Sequence, residues 1–302
     1  MKQLKVAYRV QGIINFLKPP GMTSHDMVAL TRRKLKIKKV GHTGTLDPMA
    51  SGVLPVCVGK ATKVIEYMQE DHKSYRAEMI LGQETDTQDR WGTVINTSNL
   101  EVSNKAYSEA LLSFKGEIDQ VPPMYSALKV KGKKLYELAR EGVVIDRPSR
   151  KRTLFELNPV SVDTPKMIFD VTCSKGTYIR TLCHDVGLKL GTYGHMSFLL
   201  RTSSGCFNLD NAITIESFEN ATLEEIEKNI LMPLDMPFMK LKECHVPAWV
   251  ETKIMHGQKV DLLEFAKDTI ETGEIVRLYG PDSFIGLAEK KERFMVILKR
   301  FK

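Results

Sequence analysis

Residues 41–52, Gly-His-Thr-Gly-Thr-Leu-Asp-Pro-Met-Ala-Ser-Gly, place unusual backbone chemistry around a single carboxylate, Asp47. Gly41, Gly44 and Gly52 permit positive φ or close backbone approach, and Pro48 fixes its own φ while pushing Asp47 out of helical geometry. The segment is a shaped loop, and two readings fit it. In one, Asp47-Pro48 is a turn whose side chain caps nearby amides. In the other, Asp47 is a nucleophile or general base held beside a substrate, a task a carboxylate performs without metal or cofactor. A glycosidase would need a second cooperating carboxylate, and the loop holds only one acid.

The surrounding sequence supplies elements that could hold this loop. Residues 12–16 read as a short buried strand ending at Lys18-Pro19-Pro20-Gly21. Ser24 is expected to N-cap a helix running to Leu35, with Met27, Leu30 and Leu35 inward. Arg32, Arg33, Lys34, Lys36, Lys38 and Lys39 then form a basic run, either a solvated face or a phosphate contact. Residues 53–58 read as a buried strand, and Ala61, Val64, Ile65 and Met68 have helical spacing. Tyr75, Ala77, Met79 and Leu81 alternate with Arg76, Glu78 and Ile80, which predicts a strand with Tyr75 on its apolar face.

Further along, residues 82–92 gather three acids, Asp89 among them, without the glycine and bidentate glutamate of a calcium loop. Tyr107, Ala110, Leu111 and Phe114 predict a helix that Gly116 stops. Val121-Pro122-Pro123 is extended, and Lys129, Lys131, Lys133 and Lys134 make the next stretch a basic surface or an RNA-contacting flap. Met167, Phe169, Val171 and Cys173 predict a half-buried strand. Thr177 is the expected N-cap of a helix whose inner face is Ile179, Leu182, Cys183, Val186 and Leu190, leaving Tyr178 and Arg180 off that stripe in the first turn. An arginine there opposes the helix dipole and calls for an anionic partner.

Four stretches occur in register: Lys18-Pro-Pro-Gly-Met-Thr-Ser24, residues 41–52, Tyr75 at the start of a strand, and Gly176-Thr-Tyr-Ile-Arg-Thr181. Together they resemble the bacterial tRNA pseudouridine-55 synthases, the TruB family, across roughly the first 210 residues without a large gap and more faintly to the end. The resemblance implies an α/β (α+β) catalytic domain with a central mixed, mainly antiparallel sheet and flanking helices. It implies isomerisation of uridine to pseudouridine in the T loop of tRNA, with the base flipped out and no metal or organic cofactor. Asp47 would start the reaction at ribose C1′ or at the pyrimidine, or a base would remove the 2′ proton to give a glycal; the sequence leaves all three open. By the same resemblance Arg180 pairs with Asp47, Tyr75 stacks on the base and acts as general acid or base, and Tyr178 and Leu199 line the pocket. His42 would fill the space the base vacates, Asp89 would reach towards the centre, and Lys18 belongs to the substrate-binding set. Where the family has Leu-Arg-Arg this chain has Leu199-Leu200-Arg201, which is read as one positive charge lost near the cleft.

Composition is consistent with this. At 302 residues there is room for a large and a small domain, expected at 1–240 and 245–302. The later segment carries three strand-like runs and resembles a PUA RNA-binding barrel. Lys and Arg number 44 against 37 Asp and Glu, a net +7 that suits a polyanionic partner. Five scattered cysteines without Cys-x-x-Cys spacing argue against zinc and for reduced thiols in a cytoplasm. No run approaches eighteen apolar residues, so no membrane partner is expected. The expected partner is the tRNA T arm, met by a stand-alone monomer without guide RNA. The alternatives are a non-catalytic RNA chaperone and a pseudouridine synthase acting on another RNA.

Overall fold

The computed structural model describes residues 10–69, 72–126, 128–130, 132–261 and 270–302. A nine-stranded sheet dominates it, in the spatial order Gly12–Lys18, Ser51–Val58, Gly194–Ser204, Lys73–Leu81, Lys166–Cys173, Arg150–Asp163 and Gly116–Gln120, with Val40–His42 and Phe207–Asn208 paired off this path. Every pairing is antiparallel except that of Ser51–Val58 with Gly194–Ser204, whose register joins Ser51 to Leu200 and Gly52 to Arg201. The sheet is mixed and mainly antiparallel, as the resemblance implies.

Period-2 patterning explains the central strand. Tyr75, Ala77, Met79 and Leu81 are buried, while Arg76 is exposed and Glu78 and Ile80 are half-buried. The inward set packs with Phe169, Val171, Leu199 and Leu46 under the helices Asn104–Leu112 and Ile179–Lys189, which contribute Tyr107, Leu111, Leu182 and Val186. A second core places Met27, Leu30 and Leu35 of the helix Ser24–Leu35 against Ile14, Phe16, Leu54 and Val56. Each such side chain taken fully out of water contributes about 1.5–3 kcal/mol.

Several local expectations need correction. Thr23, not Ser24, caps the first helix: its hydroxyl accepts from the Asp26 amide, and the Asp26 carboxylate accepts from the Thr23 amide. Thr177 does not cap the helix Ile179–Lys189; its hydroxyl donates to the Ser174 carbonyl, and Tyr178 is the flanking residue with no side-chain cap. The apolar set from Ala61 to Met68 is split into a 3₁₀ turn, Gly59–Lys63, and one α turn, Ile65–Met68. Residues 223–230 form an α turn, Leu223–Glu225, that widens into a π turn, Ile226–Ile230. In the basic flap, Lys129–Val130 pairs with Lys133–Lys134 ahead of the helix Leu135–Arg140, and Lys131 lies outside the described residues.

A separate five-stranded sheet runs in the order Glu243–His245, Ile275–Tyr279, Phe284–Lys291, Phe294–Arg300 and Val260–Asp261. It fits the small PUA-like barrel implied by the sequence. Leu287 and Phe301 of this part pack with Ile13, Val53, Cys57 and Phe238, so its apolar back rests on the edge strands of the large sheet. Among the described residues no helix is long and apolar enough to cross a membrane.

Candidate active site

The Asp47 loop is pinned from three sides. On the first, buried Ser24 accepts from the Leu46 amide at 2.9 Å and donates to the Leu46 carbonyl at 3.2 Å. On the second, Lys18, fully buried, donates to the carbonyls of Pro19, Met22 and Pro48 at 2.8, 2.7 and 3.0 Å, and the Gly21 amide donates to the same Pro48 carbonyl at 2.9 Å. On the third, Arg201, 1% exposed, donates from Nε to the Val53 carbonyl at 2.6 Å and from its two terminal nitrogens to Thr45 and Gly44 at 3.5 and 3.4 Å. The close approach of Arg201 requires Gly52: φ there is +116°, and a Cβ would lie 2.2 Å from the Arg201 carbonyl oxygen. Backbone carbonyls this deep cost free energy unless partnered, and these side chains partner them.

What the pinned loop presents is the Asp47 carboxylate, 37% exposed, with Arg180 behind it. Arg180 is 6% exposed; Nη2 lies 2.8 Å from Asp47 Oδ2, and Nη1 lies 3.8 Å from Asp89 Oδ2. The anionic partner demanded by an arginine in a first helical turn is therefore a pair of carboxylates, and they allow it to be buried, not off the packed face. Asp89 is itself held by the Thr87 hydroxyl at 2.7 Å and the Trp91 amide at 3.2 Å; burial raises its carboxyl pKa against the pull of Thr87 and Arg180. The helix start is fixed by buried Gln120, whose side-chain amide accepts from the Tyr178 amide at 2.8 Å and donates to its carbonyl at 3.0 Å. This sets the Tyr178 ring 6.0 Å from the Arg180 guanidinium carbon.

Tyr75 and Leu199, 9% and 6% exposed, pack in one apolar cluster with Leu46 and Ala50 of the loop. Burial pushes the Tyr75 phenol up to about 12, with the Arg201 charge opposing, so it stays protonated at neutral pH. His42 sits at the foot of the loop, edge-on to His25 with ring centres 5.5 Å apart. Burial pulls its pKa down to about 4, helped by the charges of His25 and Arg201, so it is a neutral ring. The structure places Lys18 beneath the loop, among main-chain carbonyls. Burial lowers its pKa to about 8, with the Asp47 charge opposing, and all three hydrogens of its ammonium meet main-chain carbonyls, so it braces the loop.

Asp47, Arg180 and Asp89 thus meet directly, Tyr178 flanks Arg180, and Tyr75 and Leu199 pack against the loop that carries Asp47. Ser24, Gln120 and Arg201 were not singled out from sequence as loop anchors. The signal available was a polar residue at an inward register position, as for Arg201 opposite Tyr75. The register also corrects the reading of Leu200. It lies opposite Arg76, whose side chain forms a two-point pair with Asp170 at 2.8 and 2.7 Å on the outer face of the sheet. The charge missing at position 200 is therefore on the face away from Asp47.

Comparison with known proteins gives the family of the chain. Residues 32–179 match the model of the TruB family pseudouridylate synthase N-terminal domain, and residues 180–239 match that of the tRNA pseudouridylate synthase B C-terminal domain. The chain is 47% identical to tRNA pseudouridine synthase B of Alkaliphilus oremlandii, covering 96% of this chain and 98% of that one. It is 46% identical to the protein of the same name from Clostridium kluyveri, covering 97% and 100%. Among solved structures it is similar to the crystal structure of a Cbf5-Nop10-Gar1 complex, with a TM-score of 0.71 and 28% identity over 96% of this chain and 85% of that one. With a shaped loop presenting one aspartate to a buried arginine, and near-full-length relatives of this kind, the chain belongs to the TruB family of pseudouridylate synthases.

Proposed function

We propose that this chain isomerises uridine to pseudouridine at position 55 in the T loop of tRNA, with Asp47 as the catalytic group. The observation that carries the reading is the 2.8 Å pair between a half-exposed Asp47 and a buried Arg180, on a loop braced at Leu46, Pro48 and Val53. Relatives named tRNA pseudouridine synthase B at 41–47% identity support tRNA as substrate.

The reaction breaks the N1–C1′ bond, turns the uracil and forms the C5–C1′ bond, after which C5 loses its proton and N1 gains one; no water is consumed. Reaching the uridine requires flipping it out of the folded loop, at a cost of a few kcal/mol. Asp47 starts bond cleavage, Arg180 aims it, and Asp89 holds the far side of the guanidinium. Tyr75 and Leu199 receive the base. A phenol held near 12 keeps its proton at pH 7, which favours Tyr75 as a stacking group or proton donor over a base. Neutral His42 occupies the vacated stack without bringing a charge into it.

The functional unit we propose is a cytoplasmic monomer, working on the tRNA T arm without guide RNA. Residues 1–240 form its catalytic domain and 245–302 an RNA-binding domain. Incubating an unmodified tRNA transcript with wild type and with Asp47→Asn, then mapping pseudouridine, tests the reading. Wild type should modify one T-loop uridine, and the variant should bind the RNA equally and modify none. Binding without modification by wild type would instead favour an RNA chaperone, and modification elsewhere would favour another RNA substrate.

A further inference from the structure

The turn that delivers Asp89 also carries a group the isomerisation does not use. Asp86 Oδ1 accepts from the Thr93 amide at 2.8 Å, and the Thr85 hydroxyl donates to the Asp89 carbonyl at 2.6 Å. Gly92 is packed so closely that a Cβ there would lie 2.3 Å from Thr87 Oγ1 and 2.4 Å from Asp86 Oδ1. The turn is tied to the central sheet, with the Arg90 amide donating to the Met196 carbonyl at 2.9 Å and the Met196 amide to the Gln88 carbonyl at 3.1 Å. On this fixed turn the Trp91 side chain points outward, 43% exposed, with the Arg90 guanidinium carbon 5.6 Å from its ring centre. Its own amide is bonded to the Asp89 carboxylate that faces Arg180, so the backbone that carries this exposed ring is joined to the site through one side chain.

We infer that Trp91, backed by Arg90, is a stacking platform for an unpaired base of the RNA substrate next to the reacting uridine. An exposed aromatic ring with a cation on it suits a nucleobase beside a phosphate, and every base has a π-face to offer. Fixing the ring before binding removes much of the ordering cost. Only an unpaired base can present that face, which matches a loop from which a uridine has been extruded. The inference rests on the uridine isomerase reading, and its test separates the two.

The chain has two tryptophans, so Trp249→Phe leaves Trp91 as the only one. In that background, adding an unmodified T-arm stem-loop should quench Trp91 emission, and replacing one loop base with an abasic site should abolish the quench. Trp91→Ala should raise KM about 5- to 30-fold with kcat within about twofold, while Trp91→Phe, which keeps a ring, should stay within about threefold of wild-type KM. Unquenched emission and an unchanged KM in Trp91→Ala, with wild type still forming pseudouridine, would overturn the platform and leave the isomerase reading standing. Quenching without pseudouridine formation by wild type would keep the platform and overturn the isomerase.

Discussion

Ser24 and Leu46 exchange two hydrogen bonds through one hydroxyl, the Leu46 amide donating at 2.9 Å and the Leu46 carbonyl accepting at 3.2 Å. One serine thereby fixes the residue before Asp47 to the first turn of the helix Ser24–Leu35. Its neighbour Thr23 has a different task, holding that helix end through a capping box with Asp26.

The two residues should separate in experiment. Ser24→Ala strands a buried amide and a buried carbonyl, which costs about 1–3 kcal/mol, and it frees the residue next to Asp47, the proposed catalytic group. Thr23→Ala removes a cap worth about 1 kcal/mol and leaves the loop bonds in place. Urea unfolding should register both substitutions. Pseudouridine formation should fall clearly with Ser24→Ala and stay near wild type with Thr23→Ala.

That contrast marks what was legible in the sequence. Alternation from Tyr75 to Leu81 and the helical stripe from Ile179 to Val186 report which side of an element faces the core, and both are realised. Glycines and a proline around Asp47 announced a shaped loop. Periodicity does not say what an inward polar side chain meets, and the partners of Arg201 lie some 150 positions away at Gly44, Thr45 and Val53. Ser24 and Thr23 are both good caps by type, so only geometry could separate them. Leu200 shows the same limit: adjacency to Arg201 in sequence puts it on the opposite face of a strand.

Arg180 contacts Asp47 and Asp89 through two nitrogens of one planar group, a geometry lysine cannot reproduce. Arg180→Lys keeps the charge but loses the fork, and a displaced reacting group can cost on the order of 100-fold in rate. We expect kcat to fall on that scale while RNA affinity stays close to wild type. Arg180→Ala should also destabilise the fold, by about 2–3 kcal/mol, less than the 3–5 of a fully buried pair because Asp47 is partly in water. Single-turnover kinetics with denaturant unfolding separates the two effects; an unchanged kcat in Arg180→Lys would remove the aiming role.

His42 and His184 should tilt stability with pH in opposite directions. His42 is held at about 4 in the folded chain against 6.5 in the unfolded one, chiefly by burial. Between those values the unfolded chain takes up a proton that the folded chain refuses, so this contribution is intact above pH 6.5 and lost as pH falls towards 4. His184 is raised by its hydrogen bond to Asp185, and by Glu84 against the opposing effect of burial, with contacts of 3.2 and 2.9 Å. Its stabilisation is complete below pH 6.5 and is lost as pH rises through its higher folded value. Replacing each with glutamine isolates the slopes. His42→Gln should lose less stability than wild type on going from pH 6.5 to 4, and His184→Gln should lose less on going from pH 6.5 to 8. Urea midpoints at half-unit pH steps measure both, and parallel profiles for wild type and His42→Gln would show that His42 titrates normally in the folded protein.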